Sequence, residues 1–171
     1  MYYQIFIQSL AIVALIIWVS SYHFKTRKSI LLVQLISFIF LIAHFVCLGV
    51  YTGAFLVTIA VLRLAVFSFK KQDNWISKPI VFWVFISMLV VATLLTLTTY
   101  WALFALAGGI FATVASWQYN QTKIRILFIP GHILWIIYDV IVGAYGAAIT
   151  EAVLCVSAIL SLLRKDLKEN K

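Results

Sequence analysis

The chain has 171 residues, 65% of them hydrophobic and 11% charged, with a mean hydropathy of +1.10. A soluble domain carries about 25% charged residues, so too few polar side chains exist here to cover a water-facing surface. A soluble domain is excluded, and the bilayer is the expected solvent. The net charge of +8 needs no nucleic-acid partner, because anionic lipid headgroups balance basic residues at a membrane surface.

The first apolar run, within "MYYQIFIQSLAIVALIIWVSSYHFKTRK", has no basic residue ahead of it and no small-residue cleavage site after it. It reads as a retained first helix rather than a signal peptide. Apolar stretches of spanning length follow, so that seven are expected near 3–22, 29–50, 52–69, 79–98, 100–119, 124–143 and 145–163. The fourth and fifth form one uncharged run from Pro79 to Trp117, too long for a single span at about 1.5 Å per residue. "TLTTYW" at 96–101 is the expected turn, with Tyr100 and Trp101 at a membrane interface. Cys47 and Cys155 both fall in apolar runs without zinc-type spacing, and they read as packing residues.

Charge supports this count. Lys25, Arg27 and Lys28 fall between spans one and two, and Lys70, Lys71 and Lys78 between three and four. Lys123 and Arg125 fall between five and six, and Arg164, Lys165, Lys168 and Lys171 after seven. The alternate connections contain no basic residue. By the positive-inside rule this places the N-terminus outside and the C-terminus in the cytoplasm of a multi-pass cytoplasmic-membrane protein.

One phrase occurs twice: "LGVYTGAF" at 48–55 and "VGAYGAAI" at 142–149, 94 residues apart. The same offset aligns Lys70-Lys71 with Arg164-Lys165, which points to an internal duplication. Three-helix units end on the opposite side from where they begin, so an extra span is needed if the second copy is to insert in the same orientation. The expected fold is therefore an all-α membrane protein of seven transmembrane helices, two parallel three-helix bundles joined by a linker helix. The first repeat covers 1–71, the linker loop and fourth helix 72–98, and the second repeat with a cytoplasmic tail 99–171. This three-plus-one-plus-three plan resembles that of the SWEET and PQ-loop transporters.

More closely, "KTRKSILLVQLISFIFLIAHFVCLGVYTGAFLVTIAVLRLAV" (25–66) and "GAYGAAITEAVLCVSAILSLLRK" (143–165) resemble the YgjV-type bacterial inner-membrane protein family. His44, Gly49, Tyr51 and Arg63 carry the first match, and Gly143, Gly146 and Glu151 the second. Sugar-transporting relatives of the wider plan place an asparagine in the third helix of each half. Neither 52–69 nor 145–163 has one, the only prolines are Pro79 and Pro130, and no Pro-Gln dipeptide occurs. The resemblance thus implies a plan without implying a sugar substrate.

Polar groups in the hydrocarbon are costly and mark function or a structural pairing. Arg63 lies roughly 16 Å below the glycine-containing turn at helical rise, close to mid-membrane, where it either contacts a solute or packs between helices. Asp139 and Glu151 flank the second turn, and Glu151 occupies the position of Val57 in the first half. His44 and Tyr138 are repeat equivalents that could line opposite walls, and Trp135 lies one turn from Asp139. A central cavity lined by His44, Tyr138, Asp139 and Glu151, with Trp135 as a stacking wall and Arg63 beneath, is the expected substrate site. Arg63 lies about 120° around its helix from Val57, so with Glu151 facing the cavity Arg63 is expected between helices. Pro130 and Gly131 in "IPGH" are the expected hinge or kink, and Gln4, Gln8 and Gln34 read as helix–helix contacts.

Metalloprotease, phosphate-loop and nucleophile-elbow signatures are absent from the sequence. Neither an enzyme nor a metal or other cofactor is expected. The expected function is a transporter or facilitator of a small polar metabolite; the alternative is a non-transporting multi-pass protein that binds a ligand or protein partner. The expected partners are the lipid bilayer and a small polar solute, and a homo-oligomer remains open.

Overall fold

The computed structural model describes residues 2–20, 27–70, 75–97 and 99–169. Lys25, Lys71 and Lys171 lie outside the described residues, as do the side chains of Arg27, Lys28, Gln34, Arg164, Lys165 and Lys168. Seven α-helices are described: α1 (Tyr2–Ser20), α2 (Arg27–Cys47), α3 (Tyr51–Ser68), α4 (Pro79–Leu95), α5 (Ala102–Trp117), α6 (Gln121–Ile141) and α7 (Tyr145–Glu169). A single 3-10 turn at Trp75–Ser77 precedes α4. Among the described residues, four helices carry stretches long and apolar enough to cross a membrane: Tyr3–Ser20, Tyr51–Ser68, Thr122–Ile141 and Tyr145–Leu163.

Local chemistry sets the helix ends. Pro79 opens α4, where its missing N–H would be unpaired in any case. The Asn120 side chain accepts from the backbone N–H groups of Thr122 and Lys123, at 2.9 and 3.3 Å, and so caps α6. The duplicated phrase builds two turns of one geometry. Gly49 and Gly143 have φ of 74° and 75°, a left-handed conformation that costs little only without a Cβ. After α2, Val50 N–H reaches Phe45 O and Gly49 N–H reaches Val46 O; after α6, Ala144 reaches Asp139 O and Gly143 reaches Val140 O. Each bond recurs 94 residues later, and both sets close a Schellman-type helix end. The repeat also fixes length, since Arg27, Cys47 and Tyr51 at helix boundaries match Gln121, Ile141 and Tyr145.

The helices form a closed ring in the order α1, α2, α3, α5, α6, α7, with α7 returning to α1, while α4 packs outside against α3 and α5. Small residues point inward, among them Ala11, Ala14, Ala54, Ala105, Ala115, Ala144 and Ala147. Large apolar side chains such as Phe6, Ile16, Ile39, Leu95 and Leu103 point outward. That distribution lets backbones approach closely and gives lipid its apolar surface. Polar side chains then join the helices. Gln8 donates to Gly143 O and accepts from Gly146 N–H, both at 2.8 Å, which ties α1 to the start of α7. Ser37 donates to Ala14 O at 2.7 Å, and Thr52 to Thr96 O at 2.8 Å. At the opposite end of the ring from the glycine turns, Lys70 Nζ donates to Trp117 O at 2.6 Å and sits 3.4 Å above the Trp117 ring. Burial lowers the Lys70 ammonium below its ordinary pKa, and Tyr119 opposes that shift. Cys47 and Cys155 are free thiols.

Candidate functional site

The axis of the ring is hollow. A cavity of about 500 Å³ runs from the middle of the helices to the end that carries Ser68, Arg125 and Ser161. A smaller inner chamber of about 80 Å³ adjoins it toward the glycine turns. Trp18, Phe38, Arg63, Phe128 and His132 border both, so the two form one channel that narrows inward.

One face of α6 supplies much of the wall. Arg125, His132 and Asp139 are spaced by seven residues, two helical turns, and all three line the channel, with Phe128 and Trp135 between them. From α7 come Glu151, Leu154, Ser157, Ala158 and Ser161, again at three- and four-residue steps. The lining follows the repeat. Phe38 and His132, Leu41 and Trp135, Phe45 and Asp139, Val57 and Glu151, Arg63 and Ser157, and Phe67 and Ser161 are pairs 94 residues apart, and every member lines the channel. The first half contributes mostly apolar members and the second half mostly polar ones. Arg63 is the exception.

Four polar side chains sit at the junction and the inner tip. His132 Nδ1 donates to Glu151 Oε2 at 2.5 Å, joining α6 to α7, with both side chains partly exposed to the channel. Asp139 is 1% exposed, and neither carboxylate oxygen has a hydrogen-bond partner among the described residues. Arg63, 8% exposed, directs Nη1 to Thr113 Oγ1 at 2.7 Å and to Gly109 O at 3.2 Å, which clips α3 to α5. Its Nε has no partner among the described residues. Among the described residues no three of His, Cys, Asp and Glu come together as a metal site.

Asp139, Glu151, Trp135 and Arg63, four of the six residues expected at the site, therefore meet around the inner chamber. His44 and Tyr138 do not line it. His44 turns toward α1, with Nδ1 donating to Ile7 O at 2.8 Å, and Tyr138, 2% exposed, meets the Gly53 backbone. Both belong to an aromatic layer that seals the channel toward the glycine turns: His44 against Phe45, Phe45 against Trp135, and Trp135 edge-on to Tyr138, with centroids 5.4, 6.3 and 5.7 Å apart. Arg63 and Val57 both line the chamber despite their angular separation, because the channel spans the arc between them and the arginine is long. Arg63 thus packs between α3 and α5 and also borders the cavity.

Pro130 lies inside α6, which continues unbroken through it. Gly131 lets α5 approach. A Cβ on the facing Gly108 would lie 3.1 Å from Gly131 O and 2.7 Å from Trp135 Cδ1, so the glycine pair also seats the Trp135 ring. His132 was not among the expected site residues. The seven-residue spacing of Arg125, His132 and Asp139 is the sequence signal that marks it.

Neither the curated proteins nor the solved structures provide a match. A family model described as a bacterial inner membrane protein matches residues 5–169, nearly the whole chain and both copies of the glycine turn. The protein belongs to the Imp-YgjV family of bacterial inner membrane proteins.

Proposed function

We propose that this protein is a carrier or facilitator for a small polar metabolite, built of seven spans as two parallel three-helix halves around α4, with the N-terminus outside and the C-terminus in the cytoplasm. The observation that carries this reading is the axial channel, wide at one end, closed by the aromatic layer at the other, and lined by Arg63, His132 and Glu151 midway. A protein that used these helices only as a scaffold would gain by packing its centre dry, since each ionisable group there costs several kcal/mol unless it is paired or solvated. The pairing of lining positions across the 94-residue repeat supports two halves that move against each other around a shared site. Pro130 and Gly131, beside the close approach of Gly131 to Gly108 of α5, are the proposed hinge.

Metabolite profiles of cells with and without the protein, followed by uptake of the enriched or depleted solute into proteoliposomes, test the reading. Glu151→Gln keeps the shape of the side chain and removes the charge that holds His132. It is expected to lower uptake at least tenfold while leaving the amount of inserted protein unchanged. Unaltered uptake by this variant would remove Glu151 from the site. A protein that binds the solute yet moves none of it would favour the non-transporting alternative.

Orientation is tested separately. Single cysteines at positions 78 and 123, with Cys47 and Cys155 replaced by serine, should be labelled only from the cytoplasmic side. Cysteines at 100 and 145 should be labelled only from outside. Labelling of 78 and 123 from opposite sides would overturn the seven-span topology.

A further inference from the structure

The charges of the channel are sorted by depth. Both carboxylates, Asp139 and Glu151, border only the inner chamber. The wide chamber is lined by Arg63 at its floor and Arg125 toward its mouth, and among the described residues no carboxylate borders it. Seven residues of α6 separate Arg125 from His132, which lies at the floor with Arg63, a rise of roughly 10 Å. Ser157 and Ser161 stand one turn apart on the α7 wall between these levels. Their hydroxyls have no hydrogen-bond partner among the described residues, whereas Ser68 and Ser116 already donate to their own helices. Trp18 and Phe128 supply flat apolar surface on the remaining walls. The volume of about 500 Å³ falls within the roughly 300–1,000 Å³ of small-molecule sites.

We infer that the wide chamber is a binding site for a small organic anion that carries a flat apolar body. A cation at each end attracts and orients the anionic group, since a guanidinium presents several N–H donors to a carboxylate or phosphate. The two serine hydroxyls donate to the same ligand from the side, and the aromatic walls cover its body. A neutral solute would leave Arg125 without a counter-charge among the described residues that line the wide chamber, and a cation would be repelled there. This inference rests on the carrier reading only for its physiological meaning, because the site can be tested by binding alone.

The same chemistry could be presented by a soluble anion or by the headgroup of an anionic lipid. The test therefore uses purified protein in phosphatidylcholine nanodiscs, with empty nanodiscs correcting for partition, and three probes of one shape: 1-naphthoate, 1-naphthamide and 1-naphthylmethylamine. Calorimetry is expected to show 1-naphthoate binding at least tenfold more tightly than the amide, with the amine weakest. Arg125→Gln, at the half-buried mouth and away from the α3–α5 clip, should reduce that preference at least fivefold without shifting the melting temperature. Ser157→Ala with Ser161→Ala should weaken 1-naphthoate more than 1-naphthamide, because a hydroxyl donates more strongly to a carboxylate than to an amide carbonyl. Equal affinity for acid and amide, or an anion preference untouched by Arg125→Gln, overturns the inference. Including phosphatidylglycerol in the nanodiscs separates the sources: undiminished 1-naphthoate binding supports a soluble anion, and competitive loss overturns it in favour of a lipid headgroup. Tight 1-naphthoate binding without uptake of any anion would sink the carrier reading and leave the site intact. Uptake confined to an uncharged or cationic solute would do the reverse.

Discussion

Gly146→Val is expected to unseat α1 from α7 and to destabilise the protein by roughly 3 kcal/mol, the upper end of overpacking penalties. A Cβ at this position would stand 2.7 Å from Gln8 O and 2.8 Å from Ala11 Cβ. The first of these is backbone, which cannot swing away as a long side chain can, so α1 must shift as a body. The shift would also pull on the two hydrogen bonds between Gln8 and the start of α7. Because α1 and α7 close the ring, the variant should open the channel wall as well. Gly109→Ala is the control: its Cβ would meet only Leu89 side-chain carbons at 3.4 and 3.5 Å, and alanine favours a helix over glycine by up to about 1 kcal/mol. Thermal unfolding of both variants in nanodiscs, followed by tryptophan fluorescence, checks the pair. A Gly146→Val protein that melts with the parent would show that α1 does not close the ring as described.

The helices were legible because a hydropathy run and its flanking charges are local properties. The expected turn at 96–101 is the interval between Leu95 and Ala102, and the seven runs match the seven helices to within a few residues at most ends. Only α7 clearly outruns its expected limit, continuing to Glu169 beyond the last apolar position because a helix can carry charge once it leaves lipid. The glycine turns were legible for a stronger reason, since a left-handed residue between two helices restricts its own identity. Lateral packing left no comparable trace. The repeat sets α4 apart as the linker, but which helices it packs against is not written in its residues, because outward and inward faces are both apolar in lipid and helix amphipathicity is weak. Of the site, depth and repeat position brought Asp139, Glu151, Trp135 and Arg63 together, but depth cannot say which way a ring turns. His44 has the right level and faces α1 instead. His132 was legible only by stepping seven residues in both directions from one helix position, a periodicity that becomes meaningful once Arg125 and Asp139 are known to share a wall.

Arg63→Leu is expected to cost about 3 kcal/mol, because hydrogen bonds from a charged donor contribute roughly 1.5–3 kcal/mol each and two are lost together. One ends on Thr113 Oγ1 and the other on Gly109 O. The guanidinium's desolvation, relieved by the substitution, offsets part of that loss. A second contribution is electrostatic: Arg63 is the cation that borders the same inner chamber as Asp139 and Glu151, and its removal leaves two carboxylates facing a leucine. The two contributions separate by comparison of variants. Thr113→Val removes one acceptor with the charge retained, and should cost about 1 kcal/mol. Arg63→Lys keeps the charge while losing the guanidinium's fork, so it should fall between the parent and Arg63→Leu. Adding Glu151→Gln to Arg63→Leu should restore part of the lost stability if the missing counter-charge matters, and restore none if the clip between α3 and α5 accounts for the whole effect. Equilibrium unfolding in mixed micelles measures all five proteins on one scale. An Arg63→Leu protein as stable as the parent would mean that desolvation of the guanidinium already cancels its bonds, leaving Arg63 to be explained by what enters the channel.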